Sequence, residues 1–169
     1  MQPTITVCSD ASYSENHKLA AWACYIRTPD RVIQTGGIIR EPCTNSTQAE
    51  RLGLANALWL IEQSIDLADY RLIVYCDNVA ALKRRQLRKT PASKIYQEAA
   101  AYNAWFEAHI ERVLFQAAEY STRHVKGHLK RSKWAVGSQR NYMNRWCDHK
   151  AKSILREAIR MKEQEDAVL

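Results

Sequence analysis

Two short apolar runs that each close on an aspartate constrain this chain more than any other feature. Thr4-Ile5-Thr6-Val7-Cys8-Ser9-Asp10 carries the β-branched residues that suit an extended backbone, and it ends on an acid. Leu72-Ile73-Val74-Tyr75-Cys76-Asp77 repeats that pattern far down the chain. If the two strands are parallel neighbours, both carboxylates emerge at the same edge of a sheet. Like charges that close need a counter-charge, and a metal ion is the commonest one. The plainer reading is a pair of unrelated turn-forming acids, since Asp often follows a strand. On these runs alone both readings stay open.

The segments between and after the two runs set the architecture. Leu19–Ile26 and Val32–Ile39 flank Pro29-Asp30-Arg31, a spacing that predicts a hairpin and, with the first run, an antiparallel meander. After turn-like Pro42–Ser46, a helix is expected from Thr47, whose hydroxyl and Glu50 fit the capping-box spacing Thr-x-x-Glu. Leu54, Leu58 and Ile61 share a face that should lie on the sheet, and Glu50 stands one turn ahead on that side. Glu50 is therefore either a cap or a carboxylate aimed along the buried stripe. A short helix is expected from Val79 to about Leu87. A longer one runs from about Ser93 to Glu111, with Ile95, Ala99, Tyr102 and Phe106 at helical intervals. Ser121–Val125 reads as the last strand, broken by Gly127. A final helix begins near Asn141, with Ala151, Ile154, Leu155, Ala158 and Ile159 as its apolar side. Its tail, Met161–Leu169, has little to pack against and is expected to fray. This order predicts one α/β domain over 1–169: a mixed five-stranded sheet, three antiparallel strands and then parallel ones, flanked by helices.

A chain of 169 residues with 46% hydrophobic and 25% charged residues suits one globular domain and sets aside a fibrous or disordered one. The net charge of +7 and pI near 9.3 favour an anionic partner, nucleic acid ahead of a membrane surface. The five cysteines lack any CxxC spacing, which sets aside a zinc signature; Cys8, Cys24 and Cys76 read as buried thiols in strands. No signal peptide and no bilayer-spanning apolar stretch is read, so a soluble, cytoplasmic protein is expected. His17, His109 and His124 read as loop, helix and strand residues, and His149 turns away from neighbouring Asp148. Trp22, Trp59 and Trp105 are expected in or against the core, and Trp134 in a basic loop. Lys83–Lys89 holds five cations and no acid, and 123–140 is likewise basic without an acid. Both runs should flank the carboxylate edge.

Five segments in order carry a family resemblance: Cys8-Ser9-Asp10-Ala11-Ser12, Thr47-Gln48-Ala49-Glu50, Tyr75-Cys76-Asp77-Asn78, Val125-Lys126-Gly127-His128 and Arg145-Trp146-Cys147-Asp148-His149-Lys150-Ala151. Together they resemble the type 1 ribonuclease H family, which cleaves the RNA strand of RNA–DNA hybrids, and the likeness covers nearly the whole chain. The resemblance implies a ribonuclease H-like fold with Asp10, Glu50, Asp77 and Asp148 (near the start of the last helix) as metal ligands and His128 as a mobile catalytic histidine. It implies two Mg²⁺ ions about 4 Å apart, with Mn²⁺ as a substitute. Asp10 would be shared between the ions, Glu50 and Asp77 would complete the one near the attacking water, and Asp148 would hold the other. Asn16, Asn45, Gln48 and Asn78 would meet the hybrid. Arg84, Arg85, Arg88, Lys126 and Lys130 would neutralise its phosphates. A monomer without membrane contact is expected. The chain departs from the family pattern at Ala11, where Gly is usual, at Ser14–Lys18 and at Ser46-Thr47, and its segment between His128 and Asp148 is long. A same-fold DNA nuclease or junction resolvase, and a catalytically silent nucleic-acid-binding module, are the alternatives.

Overall fold

Successive residues Val7 and Cys8 are both fully buried, so the first strand, β1 (Thr4–Ser14), is covered on both faces. The computed structural model describes residues 2–77, 94–125 and 138–167. β1 pairs antiparallel with β2 (Leu19–Arg27), and β2 with β3 (Val32–Ile39). Thr28 closes the β2–β3 turn: its Oγ1 accepts from the Arg31 amide at 3.0 Å, and its own amide donates to the Arg31 carbonyl at 2.9 Å. Next come α1 (Ser46–Glu62), β4 (Arg71–Cys76), α2 (Lys94–Gln116), β5 (Glu119–His124) and α3 (Gln139–Asp166). β4 runs parallel to β1 and β5 parallel to β4. The sheet order β3-β2-β1-β4-β5 puts β1 in the centre, and this mixed five-stranded sheet flanked by helices is the expected architecture.

The pleat sorts the core into two layers. Ile5 and Val7 of β1, Cys24 and Ile26 of β2, and Leu72 and Val74 of β4 pack under α1 and α2, against Leu54, Leu58, Ile61 and Val113. The alternate residues Cys8, Ala23 and Tyr25 face Met143, Cys147 and Ala151 of α3. Burying each large aliphatic side chain contributes roughly 1.5–3 kcal/mol, so the first layer is the main source of cohesion.

Several boundaries differ from the sequence reading; β5, for one, spans Glu119–His124 rather than Ser121–Val125 because its pairing with β4 begins at Arg71 opposite Glu119. β1 does not stop at Asp10 but continues to Ser14, paired on one side with β2, because Ala11 and Tyr13 still have a core surface to pack against. α1 begins at Ser46, not Thr47, with Asn45 as its N-cap: Asn45 Oδ1 accepts from the Gln48 amide at 2.9 Å. Thr47 and Glu50 therefore form no capping box. α2 extends past Glu111 to Gln116, where Val113 and Leu114 are buried. α3 starts at Gln139 and stays helical to Asp166 through the segment expected to fray, with Lys162 Nζ donating to the His17 carbonyl at 3.3 Å. Trp22 packs against the core and Trp59, 50% exposed, keeps half of its surface covered, both within the expectation, whereas Trp105 is 61% exposed. The helix expected over Val79–Leu87 and the loop carrying Trp134 lie outside the described residues.

Candidate carboxylate centre

The parallel pairing of β1 with β4 ends at Cys8 opposite Tyr75, while β1 continues. Asp10 and Asp77 each lie two residues beyond that last pair, so they stand level across the notch where β4 has stopped. Asp10 is 4% exposed and Asp77 is half-buried. Asp10 Oδ1 accepts from the Ala11 amide at 2.7 Å, which fixes the carboxylate against its own strand. Asp77 is held through its backbone: His124 Nε2 on β5 donates to the Asp77 carbonyl at 3.0 Å.

The helices close the notch from both faces. With Asn45 as N-cap, Glu50 falls in the second turn of α1 and is buried on the same side as Leu54. Gly53 lets α1 come this close, since a Cβ there would lie 3.2 Å from Trp22 Cβ and 3.6 Å from the Asp10 carbonyl oxygen. From the opposite face α3 presents Asp148. Asp148 lies well inside the helix rather than near its start, because α3 begins at Gln139. Cys147 Sγ donates to the Cys8 carbonyl at 3.4 Å and keys that part of α3 to β1. Asp148 carries an ion pair with Lys152, one turn on, at 2.6 Å.

Burial and mutual repulsion dominate the electrostatics. Desolvation, then the neighbouring charges of Asp10 and Asp77, push the Glu50 carboxyl up to about 10. Asp10 rises to about 7, first through burial and then through the charges of Asp77 and Asp148, with its hydrogen bond to Glu50 pulling the other way. Both carboxyls are thus pushed toward the protonated form, Glu50 further than Asp10. Glu50 Oε2 is buried without a hydrogen-bond partner. An orphaned buried acceptor beside two more carboxylates is costly for the protein alone and is what a divalent cation would satisfy.

Sequence reasoning passed over one further group at the notch. Along β4, Leu72, Val74 and Cys76 face α1, and ligand atoms of Glu50, Cys76 and Asp77 all lie within 4.8 Å of one another. Cys76 was read as a core thiol, and it is fully buried. Only the register between β4 and α1 brings its sulfur to the acids. His124 was missed as a support for Asp77 for the same reason, since it acts across a strand pair.

Among the expected substrate contacts, Asn16 lies in the exposed β1–β2 turn, beyond a strand pair that extends roughly 14 Å past Asp10 at strand rise. Asn45 caps α1. Gln48 is buried, its Oε1 accepting from the Thr44 amide at 2.9 Å and its Nε2 donating to the Pro42 carbonyl at 3.1 Å, so it braces the loop before α1. Asn78, Arg84, Arg85, Arg88, Lys126, His128 and Lys130 lie outside the described residues. A separate groove of about 630 Å³ over Trp22, Trp59, Trp105 and His109 includes none of the four acids. No described helix is long and apolar enough to cross a membrane.

No protein-family model matches this sequence, and no curated protein does. Solved structures do match its fold. LC11-RNase H1, in complex with an RNA/DNA hybrid, is similar over 92% of this chain and 99% of its own, with TM-score 0.62 at 15% identity. The N-terminal RNase H domain of Rv2228c from Mycobacterium tuberculosis matches over 90% and 98%, with TM-score 0.60 at 15% identity. RNase H1 from the halophilic archaeon Halobacterium salinarum matches over 91% and 98%, with TM-score 0.55 at 15% identity. The fold is ribonuclease H-like.

Proposed function

We propose that this chain is a metal-dependent endonuclease that hydrolyses the RNA strand of RNA–DNA hybrids. The observation that carries the reading is the notch itself. Asp10, Glu50 and Asp77 converge there from β1, α1 and the end of β4, Asp148 couples to them from α3, and one buried carboxylate oxygen is orphaned. Asp10, Glu50, Asp77 and Asp148 would hold two Mg²⁺ ions, or Mn²⁺ in their place, through their carboxylate oxygens. Such a pair, when bound, supplies an activated water and stabilises the leaving oxygen of an in-line displacement.

The chain's own residues do the rest. The Ala11 amide and the His124 imidazole hold Asp10 and Asp77 in place. Lys152 keeps the Asp148 carboxylate oriented. His128, after the last strand, takes the role of moving a proton or easing product departure. Arg84, Arg85, Arg88, Lys126 and Lys130 neutralise phosphates, in keeping with the net charge of +7. Asn16, Asn45 and Asn78 are the candidates for contacts to the hybrid, among them the 2′-hydroxyls that distinguish RNA from DNA, while buried Gln48 acts from behind by bracing the loop before α1. The protein acts as a monomer.

The test compares uniformly labelled RNA–DNA hybrid, double-stranded RNA and double-stranded DNA, each with Mg²⁺ and with chelator. Cleavage of the hybrid's RNA strand in Mg²⁺ alone is expected. Preferential cutting of duplex DNA would move the assignment to a DNA nuclease of the same fold, and no metal-dependent cleavage at all would leave a binding module.

A further inference from the structure

The notch contains a sulfur, and that changes which cations it will hold. Glu50, Cys76 and Asp77 offer two carboxylates and a thiol with ligand atoms within 4.8 Å of one another. Hard Mg²⁺ has little affinity for sulfur, whereas thiolate ligands favour Zn²⁺ and its softer relative Cd²⁺. The second observation is Glu50: 8% exposed, its Oε2 without a hydrogen-bond partner, and set among the same ligand atoms. The backbone also suits the assignment. Cys76 is the last residue of β4 and faces α1, so its sulfur approaches Glu50 from the strand while Asp77 follows from beyond the strand end.

We infer that Glu50, Cys76 and Asp77 form a mixed oxygen–sulfur site for a thiophilic divalent cation of the Zn²⁺ class, which competes with Mg²⁺ for the carboxylates. On binding, the Cys76 thiol and the Glu50 carboxyl each release a proton to solvent, and the freed sulfur and oxygen lone pairs go to the cation. A fourth position falls to water or to Asp10. Such an ion would occupy Glu50 and Asp77 in a geometry set by sulfur and hold the centre inactive until displaced. Binding stands apart from hybrid cleavage; only the inhibitory consequence rests on the function proposed above.

The other buried thiols set the controls. Cys8 and Cys147 lie against each other between β1 and α3, on the opposite face from Cys76, and are the competing source of a sulfur signal that the comparison must exclude. The purified full-length chain is titrated with Zn²⁺ by calorimetry and with Cd²⁺ by ultraviolet absorption, which reads the sulfur-to-cadmium charge-transfer band. Wild type, Cys76→Ser and the double variant Cys8→Ser/Cys147→Ser are compared, with far-ultraviolet circular dichroism as the check on folding. Zn²⁺ affinity should fall by at least about tenfold in C76S, since losing even a residue that supports a metal ligand costs that much. The charge-transfer band should vanish in C76S and persist in the double variant.

An unchanged Zn²⁺ affinity in C76S, or a band that survives there and is lost in the double variant, would overturn the assignment. Should C76S not fold, cadmium NMR of the wild-type chain decides: one sulfur among oxygen ligands is expected, and an all-oxygen or two-sulfur environment contradicts the site. Mg²⁺-supported hybrid cleavage by the wild-type chain is scored separately. Cleavage without the Cys76 signature sinks this inference alone, and the signature without cleavage sinks the nuclease reading alone.

Discussion

Two of the four carboxylates sit in nearly opposite surroundings. Glu50, on α1, is buried with one oxygen orphaned, and burial together with the Asp10 and Asp77 charges keeps it protonated well into the alkaline range. Asp148, on α3, is 20% exposed and already has a cation in Lys152 at 2.6 Å. The protein has satisfied the outer acid from its own sequence and left the inner one without a counter-charge. The inner wall of the notch, Glu50 with Asp10, is therefore where an added ion changes most.

The sharpest way to break this contrast is to neutralise each wall in turn. Asp10→Asn and Glu50→Gln should each lower Mg²⁺-dependent hybrid cleavage by more than about 100-fold, since even residues that merely support metal ligands cost 10- to 100-fold. Single-turnover rates on labelled hybrid check this, and near wild-type cutting by D10N would refute the ligand set. Asp148→Asn should be milder, a loss of roughly 10-fold, because a carboxamide oxygen still coordinates weakly and, in the proposed arrangement, one ion alone would be affected. Equal losses at Glu50 and Asp148 would erase the distinction between the walls.

Stability should respond to pH in the sense set by the inner wall. Glu50 has a folded pKa of about 10 against an ordinary value of 4.5, so between those values the folded chain holds a proton that the unfolded chain has released. The unfolded state binds fewer protons, and stability falls as pH rises through that window, by up to ~1.4 kcal/mol per pH unit for one proton. Below about pH 4.5 this contribution is fully present. Denaturant melts of the metal-free chain between pH 5 and 9 should show the decline. E50Q should flatten it, and Mg²⁺ should oppose it by stabilising the ionised form. A melt that grows more stable toward pH 9 without metal would contradict the buried protonated carboxyl.

The smallest effect belongs to Lys152. Its side chain is 41% exposed, so Lys152→Ala should change stability by roughly 0–1 kcal/mol. Cleavage should change by a few-fold at most, through a less well oriented Asp148. Losses as large as those of D10N would move Lys152 from support to a direct role.

Much of the site was legible because its acids punctuate regular patterns. Asp10 and Asp77 end apolar strand runs, and the β1–β4 register, with Cys8 opposite Tyr75, sets them level. Glu50 was legible as one turn ahead of Leu54 on the buried stripe. The local ends were not. Ala11–Ser14 looks like a loop because its alternation is made of small and polar residues, and it stays extended by pairing with β2. Thr47 matched a capping motif by spacing, but Asn45 caps better, and Gln48 reaches back to the Thr44 amide. Cys76 is legible as a buried strand thiol, but its closeness to the acids is not, since that emerges only when α1 is laid across β4. Trp105, expected in or against the core, is more exposed than Trp59, because hydrophobicity alone is a poor guide for a residue that α2 carries on its outer side.

The most direct test of the carboxylate centre is the proton count on Mg²⁺ binding, taken near pH 7 by calorimetry in buffers of different ionisation enthalpy. At that pH Glu50 holds its proton and Asp10, at about 7, is half-titrated. Ligation must ionise both, so about one proton or more should leave per chain, and E50Q should abolish most of that release. A Mg²⁺ binding enthalpy that is the same in every buffer, or an E50Q variant that releases as many protons as wild type, would contradict a centre built on Glu50 and Asp10.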